Sequence, residues 1–203
     1  MQQLVLATGN PGKLVEMREL LAPLGFEVLA QSELGVTEVD EPGPGFIENA
    51  LIKARHAARI TGLPAIADDS GLVVPALAGA PGVYSARYAG EDANAEKNNQ
   101  KLLQAMSDLH GDQRQAYFIC QIAAVSAAAD PLPLLALGRW QGLILNELQG
   151  RQGFGYDPLF APEGMDCSAA ELAFAEKNQF SHRGLAMVQL IKQIRNFWSF
   201  NEQ

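Results

Sequence analysis

One apolar stretch decides the fold: Ala65-Ile66-Ala67-Asp68-Asp69-Ser70-Gly71-Leu72-Val73-Val74. Short apolar segments between turn residues are typical of buried strands, and an acidic pair inside one must be paired, solvated in a cleft or bound to a cation. Successive strand side chains point to opposite faces, so Asp68 and Asp69 can share a metal ion only if the strand bends, which Gly71 permits. The alternative is a surface turn from Asp68 to Gly71 within a hairpin.

The composition is that of an ordinary globular protein. A length of 203 residues predicts a single domain, residues 1–203, or two lobes that share one sheet. The formal net charge of −8 argues against nucleic acid and against a membrane surface as partners. A nucleotide remains compatible with this charge, because a few Lys and Arg side chains and a cation can reverse the sign locally.

The termini and cysteines carry no targeting or redox signal. No basic segment precedes an apolar core at the start of the chain, and no stretch is apolar over ~18 residues, so we expect a cytoplasmic protein. Cys120 and Cys167 have no second Cys or His at metal-binding spacing. We therefore predict that both are free thiols.

A polar loop, Thr8-Gly9-Asn10-Pro11-Gly12-Lys13, separates a predicted strand at Gln3–Ala7 from a predicted helix. Asn10 can cap this helix with Pro11 at its first position, which leaves backbone N–H groups for an anion. Lys13 in the first turn opposes the helix dipole and so suggests a bound anion. The alternative is a tight turn with an exposed lysine.

A second helix is predicted after the strand Phe26–Ala30 and an acidic, proline-rich loop that contains Glu41. It begins at Phe46, and its apolar residues recur at helical spacing. Asn49 and Lys53 lie four residues apart on one face and could reach a phosphate together. A merely solvated face is the alternative.

The second half of the chain predicts a helix over Ala93–Leu109, capped by Asp92, and then a small antiparallel sheet. Its strands are apolar and partly alternating, with a turn after the first: Gln115–Ala127, Leu132–Leu137 and Arg139–Leu145. We interpret this sheet as a second lobe packed beside the first, with a cleft between the two.

Two later segments are richer in functional groups than a core requires. Gly150–Phe160 combines glycines, aromatic rings and Asp157, which suits the binding of a base, although a turn that plugs the core is the alternative. Ser168 and Glu171 form a capping-box pattern that predicts a short helix. Glu176–Gly184 then gathers Lys, His and Arg at the start of the last helix, where these cations imply external acceptors.

Six motifs in this order resemble the inosine/xanthosine triphosphate pyrophosphatase family, and together they span nearly the whole chain. The motifs are Thr8-Gly9-Asn10 with Lys13 and Glu16, Phe46-Ile47-Glu48-Asn49-Ala50 with Lys53-Ala54, Ala67-Asp68-Asp69-Ser70-Gly71, Gly79-Ala80-Pro81-Gly82 with Ser85-Ala86-Arg87-Tyr88, Phe154-Gly155-Tyr156-Asp157-Pro158, and Ser181-His182-Arg183-Gly184.

The resemblance implies an elongated α/β fold: a central mixed β-sheet flanked by helices, in two lobes with the active-site cleft between them. It also implies a homodimer, a requirement for Mg²⁺, and hydrolysis of ITP, dITP and XTP to the monophosphate and pyrophosphate. Such an activity would cleanse the nucleotide pool of non-standard purines.

The resemblance assigns roles to individual residues. Asp69 is the expected catalytic residue, and Glu41 and Asp69 are the expected metal ligands. The preference of Mg²⁺ for carboxylate oxygens adds Asp68 to these ligands. The expected substrate-binding residues are Thr8, Gly9, Asn10, Pro11, Gly12, Lys13, Lys53, Ser70, Phe154, Gly155, Tyr156, Asp157, Lys177, His182 and Arg183. Among these, Lys177, His182 and Arg183 are expected to read the purine edge.

The chemistry of hydrolysis suits these assignments. Attack at the α-phosphorus needs an in-line water, neutralised phosphate oxygens and a group that orients the water. We expect Asp69 to orient a metal-polarised water, with its pKa depressed beside Mg²⁺. Two alternatives remain: a pool-cleaning pyrophosphatase for modified pyrimidine nucleotides, and a nucleotide-binding module without turnover.

Overall fold

The computed structural model of the protein describes residues 2–198. Within these residues there are six strands: β1 (Gln3–Leu6), β2 (Glu27–Ala30), β3 (Ala65–Val73), β4 (Gln115–Val125), β5 (Leu134–Ile144) and β6 (Phe160–Pro162). They form one mixed sheet in the order β2-β1-β3-β4-β5-β6. Strand β1 pairs in parallel with β2 and β3, whereas β5 and β6 are antiparallel. The predicted α/β class with a central mixed sheet is therefore confirmed.

Five α-helices lie within the described residues: α1 (Pro11–Leu21), α2 (Phe46–Thr61), α3 (Ala95–Ala105), α4 (Phe174–Phe180) and α5 (His182–Phe197). The first helix begins as predicted, with Asn10 as its cap and Pro11 at its first position. The helix predicted to begin at Phe46 is also confirmed. None of the helices within residues 2–198 is long and apolar enough to cross a membrane.

One alternative and one prediction about strands are wrong. The acidic pair does not form a surface turn, because β3 continues through Asp68 and Asp69 without interruption. The two strands predicted on either side of Gly138 are one strand, β5, whose side chains alternate between buried and exposed along its whole length. An unbroken alternation keeps the same face on the core, so Gly138 does not need to end the strand. The expected small antiparallel sheet is thus part of the single sheet.

Two predictions about helix starts are also wrong. The cap of α3 is Asn94, whose side chain accepts from the backbone N–H of Lys97, so the helix begins later than a cap at Asp92 implies. The backbone N–H of Ser168 does donate to Glu171 Oε2 at 2.7 Å, as in a capping box. That bond closes a turn, however, and the next helix is α4.

The described chain divides into two compact units. The first contains the residues up to Asp69, Cys120–Gly138 and the residues from Arg183 onward. Its sheet is covered on both faces, because alternate residues of β1 join different apolar clusters. Leu4 and Leu6 pack with α1 and α5. Val5 and Ala7 pack with α2.

The second unit contains Ser70–Ile119 and Arg139–His182. Its core is richer in aromatic side chains, with Phe118 packed edge-on against Phe160 at 4.7 Å between ring centroids. Leu102 of α3 and Met106, which caps the end of this helix, are buried in the same core. Of the two cysteines, Cys120 is buried and Cys167 half-buried, and both are free thiols, as predicted.

Candidate active site

The acidic pair in β3 is divided between the two faces of the sheet. Ile66 packs in the cluster that contains α1 and α5, and Ala67 packs in the cluster that contains α2. Strand alternation therefore turns Asp68 toward α1 and α5 and Asp69 toward α2. Because β3 remains a regular strand, the two adjacent carboxylates have different partners.

Asp68 is fully buried and is held by two cations. Lys13 Nζ lies 2.8 Å from Asp68 Oδ2, and Arg183 donates to the same oxygen at 3.4 Å. Burial alone would raise the pKa of Asp68, but the charges of Lys13, Arg183 and Lys53 outweigh it and hold the pKa well below its usual range. Asp68 is therefore ionised at neutral pH and fixes the position of Lys13.

Arg183 is enclosed on the same side of the sheet. It pairs with Glu16 of α1 as well as with Asp68, and its side chain is only 1% exposed. Burial lowers the pKa of Arg183, but Asp68, Cys120 and Glu16 more than compensate and raise it. Sequence reasoning assigned no role to Glu16 in this network, although its place one helical turn after Lys13 is a signal that could have revealed it.

Asp69 lies at the centre of a second set of contacts. Asn49 Nδ2 donates to Asp69 Oδ2 at 3.2 Å, and Lys53 Nζ lies 3.4 Å from Asp69 Oδ1 and 3.0 Å from Glu41 Oε2. The spacing of Asn49 and Lys53 places both on one helix face, as predicted, but within the protein they reach a carboxylate.

The environment of Asp69 shifts its pKa in the opposite direction from that of Asp68. Burial raises the pKa of Asp69, and the nearby charge of Glu41 adds to this effect, while Lys53 and Lys13 oppose it incompletely. We expected Mg²⁺ to depress this pKa, whereas the protein's own groups raise it. Burial would lower the pKa of Lys53, but Asp69, Asp68 and Glu41 together raise it. Neighbouring acids with divergent pKa values are typical of acid–base sites.

The loop before α1 offers fewer free backbone groups than predicted. Asn10 Oδ1 accepts from the N–H groups of Gly12 and Lys13 at 2.9 and 3.1 Å, and the Asn10 N–H donates to Thr8 Oγ1 at 3.2 Å. Pro11 has no N–H group. This loop therefore attracts an anion through the charge of Lys13 and the helix dipole more than through free N–H groups.

Glu38, a residue that sequence reasoning missed, lies close to Gly9. A Cβ atom at Gly9 would overlap Oε1 of Glu38, so this glutamate lies directly against the loop that contains Lys13. A carboxylate in that place carries the same sign of charge as a phosphate. It also lies in the same acidic segment as Glu41.

Two carboxylates of the first unit are suited to help hold a divalent cation. Among residues 2–198, no group of three His, Cys, Asp or Glu side chains is placed to hold a metal by itself, so the three predicted ligands do not surround one point. Asp68 faces Lys13 and Arg183, which leaves Glu41 and Asp69, both drawn to the Lys53 ammonium. Two carboxylates suit Mg²⁺, which completes its octahedral shell with phosphates and water.

A second cluster, in the second unit, contains the predicted base-binding residues. Lys177 Nζ lies 2.7 Å from Asp157 Oδ2, and both side chains are nearly inaccessible to solvent. The same oxygen accepts from the backbone N–H of Phe154 at 2.8 Å, and Lys177 Nζ lies 4.8 Å from the centroid of the Phe154 ring. Gly153 has a φ of 73°, and a Cβ there would overlap Asp157. The glycine therefore permits the loop to close over the ion pair.

Neighbouring contacts hold this loop and His182 in place. Asn99 Nδ2 donates to the carbonyl of Gly155 at 3.0 Å, and the hydroxyl of Tyr156 donates to the carbonyl of Ser85 at 2.9 Å. Burial raises the pKa of Tyr156. The His182 ring stacks on that of Phe118 with centroids 4.8 Å apart and planes inclined by 14°.

The predicted residues thus fall into two groups. The first unit brings together Lys13, Glu41, Lys53, Asp68, Asp69 and Arg183 through direct ion pairs. The second unit brings together Phe154, Asp157 and Lys177, while the half-buried Ser70 follows Asp69 in β3. Arg183, expected at the purine edge, contacts Glu16 and Asp68. No sequence pattern distinguished Glu38 and Asn99 from other polar residues, so neither was predicted to belong to the site.

Comparisons with known proteins identify the family to which this α/β protein belongs. A model of the Ham1 family matches residues 4–193, and this chain belongs to that family. A Ham1 protein structure from Coxiella burnetii superimposes with a TM-score of 0.89 at 47% identity, over 97% of this chain and 100% of that chain. The Ham1 protein structure from Staphylococcus aureus gives 0.85 at 36% identity, over 96% and 99%.

Named relatives narrow the class further. The chain is 55% identical over 196 residues to a dITP/XTP pyrophosphatase of Photorhabdus laumondii, covering 97% of this chain and 100% of the relative. It is 54% identical, with the same coverage, to a dITP/XTP pyrophosphatase of Escherichia coli strain K12. The predicted family resemblance and the predicted enzyme class, a nucleoside triphosphate pyrophosphatase, are both confirmed.

Proposed function

We propose that this protein hydrolyses the non-standard purine nucleotides ITP, dITP and XTP to the nucleoside monophosphate and pyrophosphate, with Mg²⁺ as cofactor. The observation that carries the proposal is the buried Asp69, held between Asn49 and Lys53 beside Glu41. A nucleotide-binding module without turnover would gain nothing from a desolvated carboxylate at this position. The biological role we propose is the removal of damaged purines from the nucleotide pool.

The triphosphate is assigned to the lysines of the first unit. Lys13 and Lys53 each already contact an aspartate, so their ammonium groups are positioned before a phosphate arrives. Preorganised cations cost little further ordering when the ligand binds. Asn10 and its loop extend this positive end through the dipole of α1.

The net charge of the ion-paired side chains in the first unit supports a requirement for a divalent cation. Its members carry one more negative than positive charge: Glu16, Glu41, Asp68 and Asp69 against Lys13, Lys53 and Arg183. A triphosphate adds further negative charge, so binding it needs positive charge from outside the protein. Glu41 and Asp69 would hold Mg²⁺, which supplies neutralisation of the phosphate oxygens and polarises bound water.

Asp69 is assigned to orienting the attacking water and accepting its proton. Its hydrogen bond with Asn49 and its contact with Lys53 hold this carboxylate in place, from which it would orient a water polarised by the cation. Asn49 fixes one carboxylate oxygen by its hydrogen bond, so the other oxygen faces the side of Lys53. The Lys53 ammonium would stabilise the negative charge that develops on the phosphate oxygens.

The base is assigned to the second cluster. The half-buried ring of Phe154 offers a stacking face, and Lys177 and His182 are the assigned donors to the O6 atom of hypoxanthine or xanthine. Adenine presents a donor at this position and would leave such groups without an acceptor, which can reject an analogue by up to about 10⁴ to 10⁵. The ion pairs of Arg183 with Glu16 and Asp68 support a different role for this residue. We assign Arg183 to fixing the position of Asp68 and not to reading the purine.

Three further expectations remain proposals. The homodimer comes from the family resemblance. The exclusion of nucleic acid comes from the net charge of −8. The cytoplasmic location is proposed because the assigned substrates belong to the free nucleotide pool.

The test is a substrate panel for the purified protein. ITP, dITP, XTP, GTP, ATP and dUTP would be incubated singly with Mg²⁺, with an EDTA-treated control, and the products separated by anion exchange. The proposal predicts IMP and pyrophosphate from ITP, loss of activity with EDTA, and little turnover of ATP. Release of a diphosphate with inorganic phosphate, equal rates on ATP and ITP, or a preference for dUTP would contradict it.

A further inference from the structure

We propose that Asn49 is a positioning residue for hydrolysis, which holds the Asp69 carboxylate and the loop that contains Glu41 in a fixed relation. The inference rests on the proposed function, because it takes Asp69 and Glu41 as the working carboxylates. Asn49 lies in the first turn of α2 and is only 2% exposed. Its Nδ2 donates to Asp69 Oδ2 at 3.2 Å, and its Oδ1 accepts from the backbone N–H of Gly43 at 3.0 Å.

The contact with the loop is closely fitted. A Cβ atom at Gly43 would lie 2.5 Å from Asn49 Oδ1 and 2.7 Å from the Cβ of Glu48. Real Cβ atoms are not found so close to other atoms, so only glycine lets the loop backbone approach the Asn49 side chain in this way. Asn49 therefore sets the position of Gly43, which lies two residues after Glu41.

The contacts form a closed ring. Asn49 bonds Asp69, Asp69 contacts Lys53, Lys53 contacts Glu41, and the short segment from Glu41 to Gly43 returns to Asn49. One link, Lys53, carries an ammonium group that is also assigned to the triphosphate. A phosphate that shares this ammonium would weaken its contacts with both carboxylates, whereas the neutral amide of Asn49 keeps its two partners.

The chemistry of the side chain explains why an amide is required. Asn presents one acceptor and two donors on a single rigid plane, so one group can serve both the Gly43 N–H and the Asp69 carboxylate. Aspartate at this position keeps the acceptor for Gly43 but replaces the donor to Asp69 with a second carboxylate oxygen. Alanine loses both. The two substitutions therefore separate the two contacts.

We expect Asn49→Ala to lower kcat for ITP by about 10- to 100-fold with KM nearly unchanged, since a small misplacement of a reacting group costs up to about 10²-fold. Asn49→Asp should lower kcat at least as much, because it loses the donor and also places a like charge against Asp69. Ile47→Ala, an exposed position in the same helical turn, is the matched control and should retain the wild-type kcat.

A readout independent of activity follows the loop itself. Hydrogen–deuterium exchange of a peptide that spans residues 38–46 should rise in Asn49→Ala, which loses the acceptor for Gly43, and remain as in the wild type in Asn49→Asp. Peptides from β1 and α5 should exchange as in the wild type in both variants. This pattern assigns the loss of turnover in Asn49→Asp to Asp69, with the loop still in place.

The possible outcomes are distinct. If wild-type protein hydrolyses ITP and Asn49→Ala does so at the same kcat, the positioning role is refuted while the proposed function stands. If kcat, KM and exchange throughout the chain change together, the residue is merely structural and the inference is also refuted. If wild-type protein turns over no nucleoside triphosphate, the proposed function fails and the inference falls with it.

Discussion

The buried ion pair between Asp157 and Lys177 gives a stability prediction whose size follows from the structure. The two charged atoms lie 2.7 Å apart, and the side chains are only 4% and 5% exposed. Asp157→Ala would leave the Lys177 ammonium desolvated without this carboxylate. Removal of one member of a buried pair costs about 3–5 kcal/mol.

Two neighbouring contacts adjust this value. Asp157 also accepts from the backbone N–H of Phe154, and loss of that bond adds to the cost, although Phe154 is half-buried and its N–H can gain water. The ring of Phe154 remains 4.8 Å from Lys177 Nζ and retains a cation–π attraction of about 1 kcal/mol. We therefore expect the free energy of unfolding to fall by about 3–4 kcal/mol. Asp157→Asn, which keeps an acceptor for Phe154, should cost less.

The assay is urea unfolding at 25 °C of wild type, Asp157→Ala, Lys177→Met and the double variant. Groups in direct contact show coupling energies of about 0.5–3 kcal/mol, so the double variant should be more stable than the sum of the single changes predicts. The reasoning is refuted if Asp157→Ala changes the free energy of unfolding by less than about 0.5 kcal/mol, the range of ordinary surface substitutions. Strict additivity in the double variant would refute it as well.

Other regions of the fold give two further predictions. Burial would raise the pKa of Asp130, but hydrogen bonds from Ser126 and from the Leu132 N–H outweigh it and lower the pKa below its usual 3.8. The stability it contributes is complete above that pH and is lost as the pH falls below it, so Asp130→Asn should lower Tm at pH 7 and reduce the acid dependence of Tm. A Cβ at Gly142 would overlap the carbonyl of Ala161, so Gly142→Ala should cost about 1–3 kcal/mol in urea unfolding. The neighbouring, exposed Leu143→Ala is its control, and equal costs would contradict the reasoning.

Local signals in the sequence were sufficient for the elements that they encode. Asn10 and Pro11 mark the start of α1 because a cap acts within one helical turn. The apolar spacing after Phe46 is sufficient for α2 in the same way. The pair Ser168 and Glu171 shows the limit of such signals, since its hydrogen bond forms without a helix. A capping bond stabilises a helix start but does not supply the buried face that a helix needs.

The candidate site could be predicted in its members but not in its pairings. Asp68 and Arg183 are 115 residues apart, and only the assembled sheet and α5 bring them together. Strand alternation could have shown that Asp68 and Asp69 face different helices once β3 was recognised as unbroken. Both were predicted as metal ligands because Gly71 permits a bend that would turn the two carboxylates toward one ion, whereas β3 continues through Gly71 as a strand.

The central claim is that Asp69 activates water for the hydrolysis of a non-standard purine nucleotide, and the Asp69→Asn variant tests it most directly. Steady-state kinetics with ITP and Mg²⁺ should show kcat reduced by about 10²- to 10⁴-fold, the range for loss of a general base, with KM close to that of the wild type. The amide keeps the size of the side chain, so Tm should change little. A wild-type kcat in this variant would contradict the account.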